Sequence, residues 1–457
     1  MRLLKILSLF DGMSCAMLAL LDQGIKVDKY VAYEIDKYAV KTATHNFPEI
    51  EQRGDVFDAD FTEFRNFDYL MGGSPCTYWS IAQKNNRETE ASGLGWELFS
   101  QYVRALKEAQ PKYFIYENNK SMSNAIRESI TKTFGFEPIC INSALLSAQN
   151  RQRLYWVGKR NDDGTYSKVE MKQPVDKGIL LKDILETGED LTSNDKSYCM
   201  TASYNGACGW NTIERSQRTM VAEPVIFNVP HGFNKGGVKY DKSPTLTAQG
   251  DWQHNNFISE PVNTTNRVGS LPRPNGELSQ SQAFRVYDIE GKSVNLTSGG
   301  GGAGGKTGLY AVPVNETVNN KSYALTASYY KCASNPCSEF GEEKRRPRVA
   351  EPIGFAIPCE YDEDNKPTKA MSYADGKTYQ VYEVKNGLIT IKGKEYTIKL
   401  ADGFYIIRKL TVRECMRLQT VPEWYDFSVV SDTQAYKMLG NGWTVAVISY
   451  LLSHTIE

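Results

Sequence analysis

Apolar runs in the first quarter of the chain keep ending on residues that can do chemistry, and this recurrence constrains the fold more than any other feature. Leu3 to Phe10 runs into Asp11-Gly12, and Tyr30 to Tyr33 runs into Glu34. Tyr69 to Met71 runs into Gly-Gly-Ser-Pro-Cys (72–76), and Tyr113 to Tyr116 into Glu117. Continuous apolar runs of this length read as strands buried on both faces, the pattern of a parallel sheet covered by helices. In such a doubly wound sheet, ligands bind outside the carboxyl ends of the strands, where these residues collect. The Asp11-Gly12 turn precedes a helix-like stretch, so free N–H groups and the helix dipole converge on it. Arg53-Gly54-Asp55 supplies another acid at a turn. Pro75 fixes its own φ and restricts Ser74, which leaves the Cys76 thiol little freedom in its aim. In QNRQRLYW (149–156), Arg151 and Arg153 stand two apart on a strand-like run, so their side chains share a face. A thiol, a carboxylic acid and two guanidiniums around one pocket suit nucleophilic catalysis on a flat target.

Six blocks, in order, resemble the DNA cytosine-5 methyltransferase family of bacterial and phage type: LSLFDGMS (7–14), GGSPCTYWS (72–80), ENNK (117–120), QNRQRLYW (149–156), RKLTVRECMRLQTVPEWY (408–425) and AYKMLGNGWTV (435–445). Departures are Ser14 in place of a common second glycine, Asn119 in place of the usual valine, and Gly442-Trp443 in a variable pair. The resemblance implies an α/β fold: a doubly wound S-adenosylmethionine-dependent methyltransferase sheet with an inserted, mostly β target-recognition domain. It implies catalytic residues 1–170 and 408–457, with a recognition region at 171–407 between them. Cys76 would add to carbon 6 of a flipped-out cytosine. Glu117 would hold the ring nitrogen and exocyclic amine, Arg153 the carbonyl oxygen, and Arg151 would support the developing charge. S-adenosyl-L-methionine would be the methyl donor, with Phe10 near its adenine, Asp11 and Gly12 forming the turn, Glu34 on the ribose and Asp55 on the adenine amine. Pro75 would lie beside it and Asn441 would close the pocket.

Between the blocks lies a degenerate repeat, Lys196 to Ala202, Lys242 to Ala248, Lys292 to Ser298 and Lys321 to Ala327, each followed by a Pro-containing closure such as Glu223-Pro224 or Glu351-Pro352. Its Thr, Tyr and β-branched alternation points to short strands. GGGAGGKT (300–307) satisfies the P-loop pattern, but a strand-like run rather than a helix follows it, which argues against a nucleotide triphosphate site. The polar stretch 82–95 reads as a loop beside the cysteine, with Lys84 and Arg87 placed to meet phosphates. Residues 376–407 read as a small antiparallel sheet, Thr411-Val412-Arg413-Glu414 as a capped helix start, and 444–454 as a last helix packed beside the first.

Net charge is −1, so affinity for double-stranded DNA would come from local patches, the densest being Lys344-Arg345-Arg346-Pro347-Arg348. Nine cysteines without a Cys-x-x-Cys pair point to a reducing cytoplasm, and four scattered histidines to no metal. No long apolar run suggests a membrane span. A monomer is expected, with a cognate restriction endonuclease as an open partner. Two alternatives stand beside the DNA enzyme: a tRNA cytosine-5 methyltransferase, disfavoured by the long insert, and a catalytically idle DNA-binding regulator.

Overall fold

The computed structural model describes residues 3–80, 87–228, 237–239, 267–270, 285–288, 309–311, 360–361, 367–372 and 374–455. Strands β1 (Leu4–Leu9), β2 (Val27–Tyr33), β3 (Glu51–Gln52), β4 (Tyr69–Gly72), β5 (Tyr113–Asn119), β6 (Ile139–Asn142), β7 (Gln152–Arg160) and β8 (Tyr166–Lys168) form one sheet. Its order is β3-β2-β1-β4-β5-β7-β6, with β8 on β7. β1 to β5 pair in parallel, whereas β7 runs antiparallel between β5 and β6. This is the doubly wound sheet expected from the apolar runs, in the form that the resemblance implies. The strand order reverses beside β1, so the carboxyl ends of β1, β2 and β4 open on one crevice.

Helices α1 (Cys15–Asp22), α2 (Lys37–Asn46), α3 (Gly93–Ala109) and α4 (Asn124–Phe134) flank the sheet. The two faces of the sheet belong to separate cores. One gathers Ile6, Met71 and Ile115 with α1 and the C-terminal helices; the other gathers Leu7, Leu70 and Phe114 with α3 and α4. Alternate residues of each strand therefore enter opposite cores, which is why the runs are apolar throughout.

A second, antiparallel sheet belongs to the same compact unit. It contains β9 (Glu189–Asp190) and β10 (Met220–Pro224), separated by helix α5 (Gly209–Arg215). After β11 (Ile226–Asn228), β12 (Gly237–Lys239), β13 (Arg267–Ser270), β14 (Arg285–Asp288) and β15 (Leu309–Ala311), it resumes with β16 (Glu360–Tyr361), β17 (Pro367–Met371), β18 (Thr378–Lys385), β19 (Leu388–Ile391), β20 (Lys394–Thr397) and β21 (Gly403–Lys409). Its order is β16-β17-β18-β21-β10-β9, with β19 and β20 appended to β18. Residues 260–356 form a separate compact unit, in which β14 pairs antiparallel with β13 and parallel with β15. Among its described residues after 216, the insert is thus mostly β. Residues 309–311, just past the P-loop-like stretch, are a strand rather than a helix. That stretch itself, three repeat copies (242–248, 292–298, 321–327), the 344–348 cluster and Lys84 lie outside the described residues.

The chain then returns through α6 (Val412–Leu418), α7 (Asp432–Asn441) and α8 (Val445–Ser453). Thr411 and Glu414 form the expected capping box at α6, and α8 packs against α1. Arg408, on β21 and fully buried, joins the second sheet to this return. It donates to Glu223 Oε2 at 2.8 Å, to both Glu414 oxygens at 2.8 and 3.0 Å, and to Thr187. A buried cation is tolerable only with such full pairing. Arg408→Ala is expected to lower the denaturation free energy by about 3–5 kcal/mol, because it strands two buried carboxylates. Chemical denaturation of the full chain measures this, and a loss below about 1 kcal/mol would contradict the role given to Arg408.

Candidate active site

Cys76 opens a 3-10 turn (Cys76–Tyr78) directly beyond β4. The loop before it is locked: Ser74 Oγ shares a 2.7 Å hydrogen bond with Tyr116 Oη, and Asn118 Nδ2 donates to Ser74 O at 3.1 Å. Both partners come from β5, so the strand carrying Glu117 also fixes the loop carrying Cys76. Gly73 permits this proximity. A Cβ there would lie 2.6 Å from Glu117 O and 3.0 Å from Glu117 Oε2. The Cys76 thiol is half-buried, and burial pushes its pKa up. Arg153 and Arg151 pull it down and Glu117 pushes it up, with burial prevailing. At rest the sulfur is therefore a thiol, despite the cationic neighbourhood.

The Glu117 carboxylate is held at both ends. Arg153 Nε lies 3.1 Å from Oε1, and Trp443 Nε1 donates to Oε2 at 2.8 Å. The carboxylate and the guanidinium retain only 13% and 15% exposure, so a base reaching them would displace little water. Arg151 behaves differently from Arg153. It is buried, and its guanidinium donates to the carbonyls of Met200 at 2.9 Å, Gly440 at 3.2 Å and Gly442 at 2.9 Å. Its hydrogen bonds thus serve the backbone. Both arginines also approach the Cys199 sulfur, at 3.7 and 3.9 Å. Burial alone would raise the Cys199 pKa, but Arg151, then Arg153, lower it below the ordinary thiol value.

Most of the residues expected to hold the methyl donor follow the strands at the point where the sheet order reverses. Phe10 and Gly12 both take left-handed φ, 58° and 60°, which turns the chain sharply beyond β1. Nothing lies within 4 Å of where a Gly12 side chain would project, so the turn leaves an open cradle. Asp11 faces inward and accepts from Ser8, Ser14 and Tyr30; burial raises its pKa. It builds the turn. Glu34 accepts the Gly12 N–H at 2.8 Å through Oε2, and the Ile35 and Asp36 N–H groups through Oε1. Of about four lone-pair sites on a carboxylate, one on Oε2 stays open. Asp55 caps Phe57 N–H with Oδ1 and makes no hydrogen bond through Oδ2 among the described residues. Pro75 precedes Cys76 at the same edge, and Asn441 stands exposed at the end of α7. Acceptors at the ends of adjacent strands, an aromatic edge and a cradle without side chains fit a nucleoside-bearing methyl donor.

Sequence reasoning passed over Trp443 and Cys199. A bulky aromatic in the Gly-Asn-Gly-Trp turn was the available signal for the first; nothing local marks the second. Arg87, expected to meet phosphate, instead donates to the carbonyls of Trp79 at 3.2 Å and Ser121 at 2.7 Å. Among the described residues no group of His, Cys, Asp and Glu could hold a metal ion, and no helix is long and apolar enough to cross a membrane.

The sheet and its acid-lined edge define an S-adenosylmethionine-dependent methyltransferase. The model of the C-5 cytosine-specific DNA methylase family matches residues 4–457, and the chain belongs to that family. Its activity is therefore methylation of cytosine carbon 5 in DNA, with S-adenosylmethionine as methyl donor. The orphan methyltransferase M.Rho11sI of Bacillus phage rho11s is 29% identical, covering 100% of this chain and 98% of its own length. The orphan methyltransferase M.SPRI of Bacillus phage SPR is 26% identical over 99% and 98%. The Type II methyltransferase M.Eco47II of Escherichia coli is 34% identical over 40% of this chain and 46% of its own.

The opposed pKa shifts give a direct check. In a pH series with iodoacetamide, alkylation of Cys199 should set in at lower pH than alkylation of Cys76. Peptide mass spectrometry reads both sites, and faster alkylation of Cys76 than of Cys199 at neutral pH would contradict this electrostatic account.

Proposed function

We propose that the chain methylates double-stranded DNA through a covalent Cys76 adduct on a flipped-out cytosine, as a stand-alone enzyme. The observation carrying this reading is the convergence of Cys76, Glu117 and Arg153, with the loop of the first locked to the strand of the second. A cytosine inside a duplex cannot meet a half-buried thiol, so extrusion at a cost of about a few kcal/mol precedes chemistry. The Cys76 sulfur, once deprotonated, bonds to carbon 6 and pushes the ring electrons toward carbon 5. Glu117 holds the ring nitrogen and exocyclic amine, and Arg153 the carbonyl oxygen, where negative charge develops. Carbon 5 takes the methyl group that S-adenosylmethionine supplies. Loss of the carbon 5 proton then returns electrons to the ring and expels the thiolate. Burial raises the Cys76 pKa, so loss of the thiol proton is a step of its own that precedes addition.

The full-length similarity to two proteins named orphan methyltransferases supports action without a restriction endonuclease. Residues 171–407 are proposed as the target-recognition region.

Bisulfite sequencing of plasmid DNA and tRNA from a host expressing the protein tests this reading. Protected cytosines are expected at a fixed plasmid sequence, with tRNA unchanged from the host background. Cys76→Ser should reduce plasmid protection by about 10³-fold or more while leaving the fold intact. Protection by Cys76→Ser at the parent's level would exclude the covalent route, and new protection confined to tRNA would exclude the DNA substrate.

A further inference from the structure

The Glu117 carboxylate ends in an sp³–sp² torsion, which has broad preferences and does not fix the plane of the group by itself. Two donors from distant parts of the chain supply that restraint, one per oxygen: Arg153 Nε on Oε1 and the Trp443 indole N–H on Oε2. Each carboxylate oxygen has about two lone-pair sites, so one on each remains: one to accept from the exocyclic amine, the other to share a proton with the ring nitrogen, itself an acceptor.

The indole is itself held by a braced turn. Arg151 binds the carbonyls of Gly440 and Gly442 on one side of it. On the other, buried Gln419 donates to Leu439 O at 2.7 Å and accepts from Thr444 Oγ1 at 2.8 Å. Val445 N–H donates to Gln419 O at 2.9 Å. The turn also packs closely: a Cβ on Gly440 would stand 2.3 Å from the Thr201 backbone and one on Gly442 3.0 Å from Met438 O. These contacts fix the backbone from which the indole projects toward Glu117.

We infer that Trp443 is a positioning residue for Glu117, its indole N–H and Arg153 together setting the plane in which the carboxylate meets the flipped cytosine. The inference rests on the proposed role of Glu117. It also gives Arg151 a part in the reaction, exerted through the turn that carries Trp443.

Four variants of the full-length protein test it. Benzothienylalanine at position 443 keeps the bicyclic shape and replaces only the N–H; Trp443→Phe removes the N–H with a smaller ring. Both are expected to lower kcat about tenfold, the worth of a hydrogen bond to a charged group, with KM for S-adenosylmethionine and Kd for DNA within about twofold of the parent. Glu117→Gln is expected to lose most activity, and adding Trp443→Phe to it should cost nothing further, because the indole acts only through that carboxylate. Parent-level kcat in the benzothienylalanine protein would overturn the inference, as would independent, multiplicative losses in the double variant. Parent-level activity of Glu117→Gln would instead overturn the underlying reading of the site, and the inference with it.

Discussion

One buried guanidinium holds the site together. Arg151 sits just before β7 and binds carbonyls at Met200, Gly440 and Gly442, three positions far from it in sequence. A planar fork with several donors can satisfy carbonyls from separate segments at once, which a lysine ammonium does less well. Without it, the C-terminal turn would lose its tether to the strand that carries Arg153. Asn441 and Trp443 both stand on that turn, the first exposed and the second against Glu117.

A second layer of the same design joins the inserted sheet to the catalytic body. The first copy of the repeat serves as a seat. Lys196 Nζ donates to the carbonyls of Ala144 at 2.8 Å and Ser147 at 3.1 Å, and Ser197 Oγ meets Thr219 Oγ1 at 2.9 Å. Gly440 packs against the backbone of Thr201 and Ala202. At the other end of the unit, Glu223 accepts from Arg408, Thr187 and Ser372. Lys196 and Glu223, which open and close this copy, thus tie it to Ala144, Ser147 and Arg408. Between them lies Cys199, against both arginines of the site.

Much of this architecture was legible in the chain, for physical reasons that differ by element. β1, β4 and β5 announced themselves because strands buried on both faces must be apolar throughout, and the residues ending them fell at one edge once the order was parallel. The Thr411–Glu414 cap was legible because its partners lie within one turn. The pairings Trp443–Glu117, Arg151–Gly440 and Arg408–Glu223 were not, since each joins residues 185 to 326 positions apart and no local pattern encodes such a meeting. Arg408 did leave a trace: one cation after Phe404-Tyr405-Ile406-Ile407, where the strand buries its side chains. Composition named arginines beside the thiol but could not rank their pull against burial, which only the packed structure decides.

The most direct test of the central claim is peptide mapping of the protein after incubation with S-adenosylmethionine and duplex DNA carrying 5-fluorocytosine at target sites. Fluorine at carbon 5 cannot leave as a proton does, so the enzyme is trapped after methyl transfer. The account predicts a single denaturation-resistant adduct on the peptide containing Cys76. An adduct on another residue, or methylated DNA released without any adduct, would contradict it.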